Sequence, residues 1–389
     1  MRKKVVIIGH GFTSRLCVIR SIAKVDCDIS VIVITNKKKN NKPIDCYSKY
    51  VNRVLFCPSD EKMLIDMLLK QCLDKNKKTI LFPDSDFSAV VISKNEDRLS
   101  NFFLFPHINH QQGAVIKWMN KELQKGLAKK VGMNVANSVS FEIKDGQFEL
   151  PDGIHYPCFT KAQAYMAVTK RTLKRCNNEK ELVDFVKQLG EKYDLMLLVE
   201  DYKDIEKEFA VVGFSDGKTV DIPGVLQILT MAHGGHNGVA CKGKVMPIKG
   251  FEKLIDQMKE FVLQVGFVGV FDIDFYQSGG LYYFGELNLR IGGSCYAVTK
   301  MGSNLPAMLV RYLSGESTND LRKDVSETAT YVNERMCHDD WNSGYLSHSA
   351  YKSILSSADI SFLKDDDDPW PYRIYFLRHI YLLLRKFFK

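Results

Sequence analysis

Apolar residues along the chain fall into short runs between polar turns, and the rhythm of those runs changes about a third of the way along. Val5–Ile8 is an apolar run that ends at Gly9. It is too short for the apolar region of a leader peptide and reads as a buried strand. Thr13–Ala23 has helical spacing, with Thr13 or Ser14 placed to cap it. Further strands are predicted at Ile29–Ile34, Val54–Cys57 and Thr79–Phe82, with a helix over Glu61–Leu73. Strands alternating with helices imply a parallel sheet joined by right-handed crossovers.

A helix over Lys117–Lys130, stopped near Gly132, precedes the change. Short strands joined by Gly, Asp and Pro turns follow at Phe141–Ile143, Phe148–Leu150, Cys158–Lys161, Leu195–Val199 and Glu208–Phe214. Helical spacing returns at Glu179–Leu189, at Phe251–Val265 before Gly266, and at Asn304–Ser314. Val268–Tyr276 and Leu281–Leu287 form a predicted hairpin around Ser278-Gly279-Gly280. The expected layout is an α/β domain over residues 1–115 and a two-lobed α+β domain over 116–315, with lobes at about 122–200 and 201–315. An extension over 316–389 completes it. That extension carries Asp365–Asp368 and ends in a basic amphipathic helix with Arg378, Arg385 and Lys389 on one face. Such a helix suits packing on the body, a homodimer mate or an anionic membrane surface.

With 389 residues, 45% apolar and 26% charged, the chain has material for a large core divided among two or three domains. Its net charge of +8 suits anionic ligands such as nucleotides without calling for nucleic acid. The ten cysteines never share a Cys-x-x-Cys spacing, so a zinc knuckle or a redox dithiol is not expected, and the usage fits a reducing cytoplasm. No stretch reaches the roughly 18 apolar residues of a membrane-spanning helix.

Two glycine motifs bear on chemistry. Gly9-His10-Gly11 sits where a dinucleotide fingerprint would begin, which raises the reading of an NAD(P) oxidoreductase. The third glycine is replaced by Ser14, and Lys37–Lys39 stands where an acid for ribose is wanted. Met231-Ala-His233-Gly-Gly-His236-Asn-Gly238 is a loop with two histidines, able to face a substrate or to be a plain surface connection.

The hairpin carries the strongest signal. Asp272 and Asp274 alternate with apolar residues on its first strand, as do Glu286 and Asn288 on its second, so each pair shares a face. Hard oxygen ligands this close repel unless a cation lies among them, and Mg²⁺ with a nucleotide is the natural occupant. Arg290 follows at once, a charged fork suited to phosphate or carboxylate. Gly292-Gly293-Ser294 then lets backbone approach a ligand.

Asp274…Glu286-Leu-Asn288-Leu-Arg290 resembles the metal-binding hairpin of the ATP-grasp superfamily. Asn120-Lys121, Tyr156-Pro-Cys-Phe-Thr-Lys161, Leu198-Val-Glu200-Asp201-Tyr202 and Glu208 are similar to its other blocks and stand in the same order. Phe82-Pro-Asp84-Ser-Asp86 and Phe105-Pro-His107-Ile-Asn-His110 resemble the N-terminal domain of its D-aspartate ligase and carbamoyl-phosphate-synthase-like carboxylate–amine ligases. The resemblance implies a pre-ATP-grasp domain followed by a two-lobed ATP-grasp domain with a lid. It also implies an enzyme that uses ATP and Mg²⁺ (or Mn²⁺) to activate a carboxylate as an acyl phosphate for attack by an amine, both small molecules. Asp274, Glu286 and Asn288 would hold the metal, with Asp272 as competitor. Lys121 and Lys161 would clamp phosphates, with Lys161 and Arg290 in the chemistry. Glu200, Asp201 and Tyr202 would hold adenine, and Glu208 ribose. His233, His236, Gly292, Gly293 and Ser294 would face substrate. A non-catalytic nucleotide-binding protein is the other outcome of the same resemblance. The sequence departs from the family pattern at Leu289 and Ala162, where proline is usual, and in having Asp274 as first metal acid.

Overall fold

The computed structural model describes residues 2–36, 42–164, 169–233 and 239–387. The first part follows the predicted alternation: β1 Lys3–Gly9, α1 Thr13–Ile22, β2 Cys27–Ile34, β3 Val51–Cys57, α2 Glu61–Met67, β4 Thr79–Pro83, α3 Asp86–Lys94, α4 Glu96–Leu99 and β5 Phe103–Leu104. The strands form a parallel sheet in the order β3-β2-β1-β4-β5. Val5, Ile7, Val31 and Phe82 face α1, while Val6, Ile8, Ile32 and Leu81 face α2 and α3. Burial on both faces is why these strands are apolar runs and not alternating ones. Two local expectations are corrected. Phe12, with no side-chain bond, stands at the N-cap of α1, so neither Thr13 nor Ser14 caps it. The helix from Glu61 is α-helical only to Met67, and Leu68–Cys72 continue as a wider π turn.

The chain then leaves the first sheet through β6, His107–Ile108, and two helices, α5 Ala114–Trp118 and α6 Lys121–Lys130. The single helix predicted over Lys117–Lys130 breaks because the Asn120 side chain accepts from the Leu123 amide at 3.0 Å and starts a new helix. Next come β7 Ser138–Ile143, β8 Cys158–Ala162, β9 Lys174–Cys176, α7 Glu179–Gly190 and β10 Leu195–Asp201. These strands make an antiparallel sheet in the order β7-β10-β8-β9, with Leu182, Val186 and Leu189 of α7 packed on it. The strand predicted at Phe148–Leu150 does not form. Phe148 and Leu150 pack half-buried against this core from an irregular segment, so their alternation reflects packing and not a ladder.

The remaining strands are β11 Lys207–Asp216, β12 Val220–Asp221, β13 Val225–Met231, β14 Ala240–Met246, β15 Phe267–Ser278, β16 Leu281–Asn288, β17 Ala329–Val332 and β18 Ile360–Ser361. They form one large sheet in the order β16-β15-β11-β13-β14-β17-β18, with β12 on β11 and β6 on β15. The helices with it are α8 Glu252–Val265, α9 Cys295–Lys300, α10 Leu305–Leu313, α11 Glu334–Asn342, α12 His348–Ser356 and α13 Trp370–Phe387. Ile255, Met258, Phe261, Val262 and Val265 bury one stripe of α8 against Phe267, Phe271 and Ile273. Gly266, at φ 73°, ends α8 in the left-handed region that glycine adopts freely.

Residues after 315 build part of this body: β17 and β18 extend the large sheet. The acidic run is turned inward. Asp365 accepts from Tyr296 Oη at 2.6 Å and Lys300 Nζ at 2.8 Å, and Asp368 accepts from Arg20 Nε at 3.0 Å. On α13, Arg378 turns to the body and donates to the Lys42 carbonyl at 2.9 Å, while Phe376, Leu377 and Tyr381 are exposed. Among the described residues no helix is long and apolar enough to cross a membrane.

Candidate active site

The β15–β16 hairpin sets its polar side chains shoulder to shoulder. Asp272 lies opposite Asn288, and Asp274 opposite Glu286. A bulge follows, because Phe275 then pairs with Phe284 and Gly285 is the extra residue. Only glycine fits there: a Cβ would lie 2.8 Å from the Asp274 carbonyl oxygen. Asn288 Nδ2 donates to Asp274 Oδ2 at 3.2 Å. Arg290 donates from Nη2 to Asn288 Oδ1 at 3.3 Å and from Nε to Asp86 Oδ1 at 3.1 Å, tying the hairpin to α3 of the first sheet.

The acids differ in setting. Asp272 is buried, and its Oδ1 has no hydrogen-bond partner. Burial pushes its carboxyl up to about 6 against the pull of Arg290, with Glu286 adding to the rise. Asp274 opens to solvent at the mouth of the cleft. The protein packed around its carboxyl limits solvation, and this and then the charges of Asp272 and Glu286 hold it well above the usual carboxylate range. Burial acts the same way on Glu286, but Lys121 at 2.9 Å, with the charges of Lys161 and Arg290, more than offsets it and keeps that carboxyl low. An orphaned buried oxygen beside mutually repelling carboxylates and an amide oxygen is a donor set that fits a hard divalent cation such as Mg²⁺.

Cations face this set from two other elements. Lys121 opens α6 beneath the hairpin. Lys161, on β8, reaches Glu200 Oε2 on β10 at 2.9 Å. Lys125, one helical turn beyond Lys121, meets the other oxygen of Glu200 and is buried. Sequence reasoning passed over Lys125, although its i,i+4 spacing from Lys121 placed both on one face. Burial opposes the charged form of Glu200, but Lys161 and then Lys125 prevail and hold it low.

The other expected residues are spread around this centre. Glu208 on β11 pairs with Tyr276, two residues from the Ala210–Asp274 pair, so it shares the face of the acids, and burial raises its carboxyl. Asp201 points to the other side of its sheet, accepting from Asn137 Nδ2 at 3.0 Å and meeting His155 Nδ1 at 3.1 Å. Tyr202 lies beneath the Arg175 guanidinium, 4.1 Å from the ring centre, and donates its amide to the Pro157 carbonyl at 3.0 Å. Gly292 backs onto Asp272: a Cβ there would fall 1.7 Å from Oδ2. Gly293 abuts Thr13 at the start of α1, and Ser294, at the N-cap of α9, makes no side-chain bond to that helix. His233 is fixed by Asp340 of α11, which sequence reasoning also missed. Asp340 is buried and accepts the His233 amide at 2.9 Å while meeting ring Nδ1 at 2.9 Å. His233 also stacks on Tyr345, with ring centres 5.0 Å apart. His236 lies outside the described residues.

The glycine loop at Gly9–Gly11 is filled by protein. Asp84 accepts from the Gly11 amide at 3.2 Å, and a Cβ at Gly9 would lie 1.7 Å from Asp84 Oδ1. A carboxylate therefore stands where a dinucleotide pyrophosphate would need open amides, which removes the basis for the oxidoreductase reading.

No protein-family model matches the chain. A stretch of 152 residues, 37% of this chain, is 29% identical to the carbamoyl phosphate synthase large chain of Clostridium botulinum (strain Loch Maree / Type A3). The chain spans only 14% of that relative's length. Among solved structures, the L-amino acid ligase from Bacillus licheniformis superposes with a TM-score of 0.63 at 16% identity, over 85% of this chain and 79% of that one. N5-carboxyaminoimidazole synthetase from Staphylococcus aureus, complexed with ADP, superposes with a TM-score of 0.64 at 17% identity, over 89% of this chain and 87% of that one. These likenesses show the fold: the chain shares the architecture of those two enzymes.

Proposed function

We propose that this chain is an ATP- and Mg²⁺-dependent ligase that activates a small carboxylate as an acyl phosphate and joins it to an amine. One observation carries the reading: Asp272, Asp274, Glu286 and Asn288 converge on one face of the large sheet, and Lys121 pairs with Glu286 at their edge. The solved structure with ADP, on the same fold, is the occupant's precedent.

A carboxylate is a poor electrophile, and phosphoryl transfer to it makes a leaving group an amine can displace. Most of the protein's task is then positioning and charge compensation. Asp274, Glu286 and Asn288, with Asp272 behind them, would hold Mg²⁺ (or Mn²⁺), which when bound offsets charge on the phosphates. Lys121 and Lys161 point into the same space and orient phosphate oxygens. Glu200 keeps Lys161 extended toward them. Arg290, held between Asp86 and Asn288, presents its remaining N–H groups to the transferring phosphoryl or the substrate carboxylate. Glu208 is placed for the ribose. The hinge at Glu200–Tyr202 would border the adenine, with the Asp201 carboxylate taken up by Asn137 and His155. Gly292 and Gly293 let main chain approach the acceptor, and His233, steadied by Asp340, lines its approach. The sheet of β7–β10 serves as a lid that keeps water from the acyl phosphate. Ten free, buried thiols and the use of ATP fit a cytoplasmic site of action.

The test is phosphate release over a panel of amino acid, peptide and sugar carboxylates with amines, using Glu286→Ala as control. Release that needs both a carboxylate and an amine, and disappears in the variant, supports the reading. Release that is unchanged in the variant refutes it. A protein that binds Mg-ATP but releases nothing with any pair is the non-catalytic nucleotide-binding alternative.

A further inference from the structure

Away from the hairpin, where the chain crosses from the parallel sheet to the large one, stands a second set of ligand atoms of a different chemical kind. Glu96 begins α4, and His107 begins β6. His110 follows in a turn whose residues Asn109 and His110 have φ values of 50° and 51°. One carboxylate oxygen and one nitrogen from each ring lie within 4.8 Å of one another.

Glu96 is 2% exposed, and its Oε1 has no hydrogen-bond partner. That oxygen points at the cluster, 3.5 Å from His110 Nδ1. A buried carboxylate oxygen with nothing to accept from is unfavourable unless a proton or a cation compensates it. His107 is also buried, and its Nδ1 accepts the His110 amide at 3.3 Å, so that nitrogen carries a lone pair.

We propose that Glu96, His107 and His110 form a site for a borderline divalent transition metal of the Zn²⁺ class, with water completing a tetrahedral shell. Two imidazoles and one carboxylate favour such an ion over Mg²⁺, which prefers oxygen alone. The rings stack, with centres 3.5 Å apart and planes inclined by 23°, so their lone pairs lie in two nearly parallel planes and do not converge on one point. Sharing one ion requires the His110 ring to turn out of the stack, and its side chain, 71% exposed, has the room. The turn changes the 3.5 Å approach of His110 Nδ1 to Glu96 Oε1, and an ion on His107 Nδ1 would displace the His110 amide that reaches it at 3.3 Å.

The placement gives the site a structural consequence. His107 pairs with Val268 and Ile108 with Phe267, at the start of the strand that carries Asp272 and Asp274. A metal clamped by α4 and β6 fixes this crossing between the two sheets. The inference does not depend on the ligase reading.

The experiment titrates Zn²⁺ into tag-free, chelator-treated full-length protein by calorimetry, with Mg²⁺ in large excess to occupy the oxygen site. Wild type is expected to bind one Zn²⁺. Glu96→Gln and His110→Asn are each expected to weaken it by at least about tenfold, the scale on which perturbed metal sites respond. His110→Asn is the decisive variant, since the side chain is exposed and Asn tolerates a positive φ, so the fold survives. Zn²⁺ melting-temperature shifts in wild type and their loss in His110→Asn give a second readout. No stoichiometric Zn²⁺ under excess Mg²⁺, or equal affinity in wild type and His110→Asn, overturns the proposal.

Discussion

Arg290 reaches back across the chain to Asp86, with Nε 3.1 Å from Oδ1, while its Nη2 holds Asn288 Oδ1 at 3.3 Å. One guanidinium thus links the first residue of α3 to the end of the hairpin that carries the acids. Lysine has the charge but not the fork, and cannot span both partners. Arg290→Lys is expected to lower kcat for phosphate release by about 100-fold, the scale of a lost preorganised donor. Asp86→Asn, which leaves the charge of Arg290 in place, should cost about tenfold at most. Steady-state kinetics of the two variants checks this, and equal effects would contradict it.

Gly292 has no room for a methyl group, because a Cβ would lie 1.7 Å from Asp272 Oδ2. Gly292→Ala must push aside either the loop or a buried carboxylate. A stability loss of about 2 kcal/mol is expected in denaturant unfolding, together with weaker Mg-ATP binding by calorimetry. Gly250→Ala, in open space but at φ 87°, should cost stability without touching Mg-ATP affinity.

Lys125 and Lys161 share Glu200 but sit differently, the first buried and the second nearer the cleft with its side chain 13% exposed. Lys125→Met should destabilise the fold by about 3 kcal/mol, the cost of breaking a buried pair, with a smaller effect on nucleotide affinity. Lys161→Met should do the reverse, weakening Mg-ATP at least about tenfold. Denaturant melts and calorimetry of both variants read the two effects separately.

The layout of the molecule was legible where one physical rule acted alone. The apolar runs Val5–Ile8 and Ile29–Ile34 marked buried strands, and the alternation at Asp272/Asp274 and Glu286/Asn288 marked the face they share, while the pairing of Asp274 with Glu286 depends on the bulge at Gly285. The misses came where tertiary contacts compete with local pattern. Phe148 and Leu150 alternate like a strand but only pack on a neighbouring core. Lys125 and Asp340 are ordinary charges in sequence and become site residues only when distant elements meet them. Nothing in the run Asp365–Asp368 foretold that Asp368 would meet Arg20 and Asp365 would meet Lys300 in buried pairs.

Asp84 offers a test by pH. Burial pushes its carboxyl up to about 6 even though Arg15 and the Gly11 amide pull the other way. The unfolded chain releases that proton near pH 4. Between those values the folded protein binds the extra proton, so this group's contribution to stability falls as pH rises and is fully lost above about pH 6, by at most about 3 kcal/mol. Asp84→Asn removes the proton exchange, so the stability of the variant relative to wild type should improve on going from pH 4.5 to pH 7.5. Urea unfolding at the two pH values checks this, and a relative stability that does not change with pH would contradict it.

The claim on which the account turns is that the hairpin acids hold a cation together with a triphosphate. Calorimetric titration of ATP into wild type and Glu286→Ala, with and without Mg²⁺, tests it most directly. The account predicts Mg²⁺-dependent binding in wild type and a loss of at least about 100-fold in the variant. Binding that ignores Mg²⁺, or that survives unchanged without the Glu286 carboxylate, would contradict it.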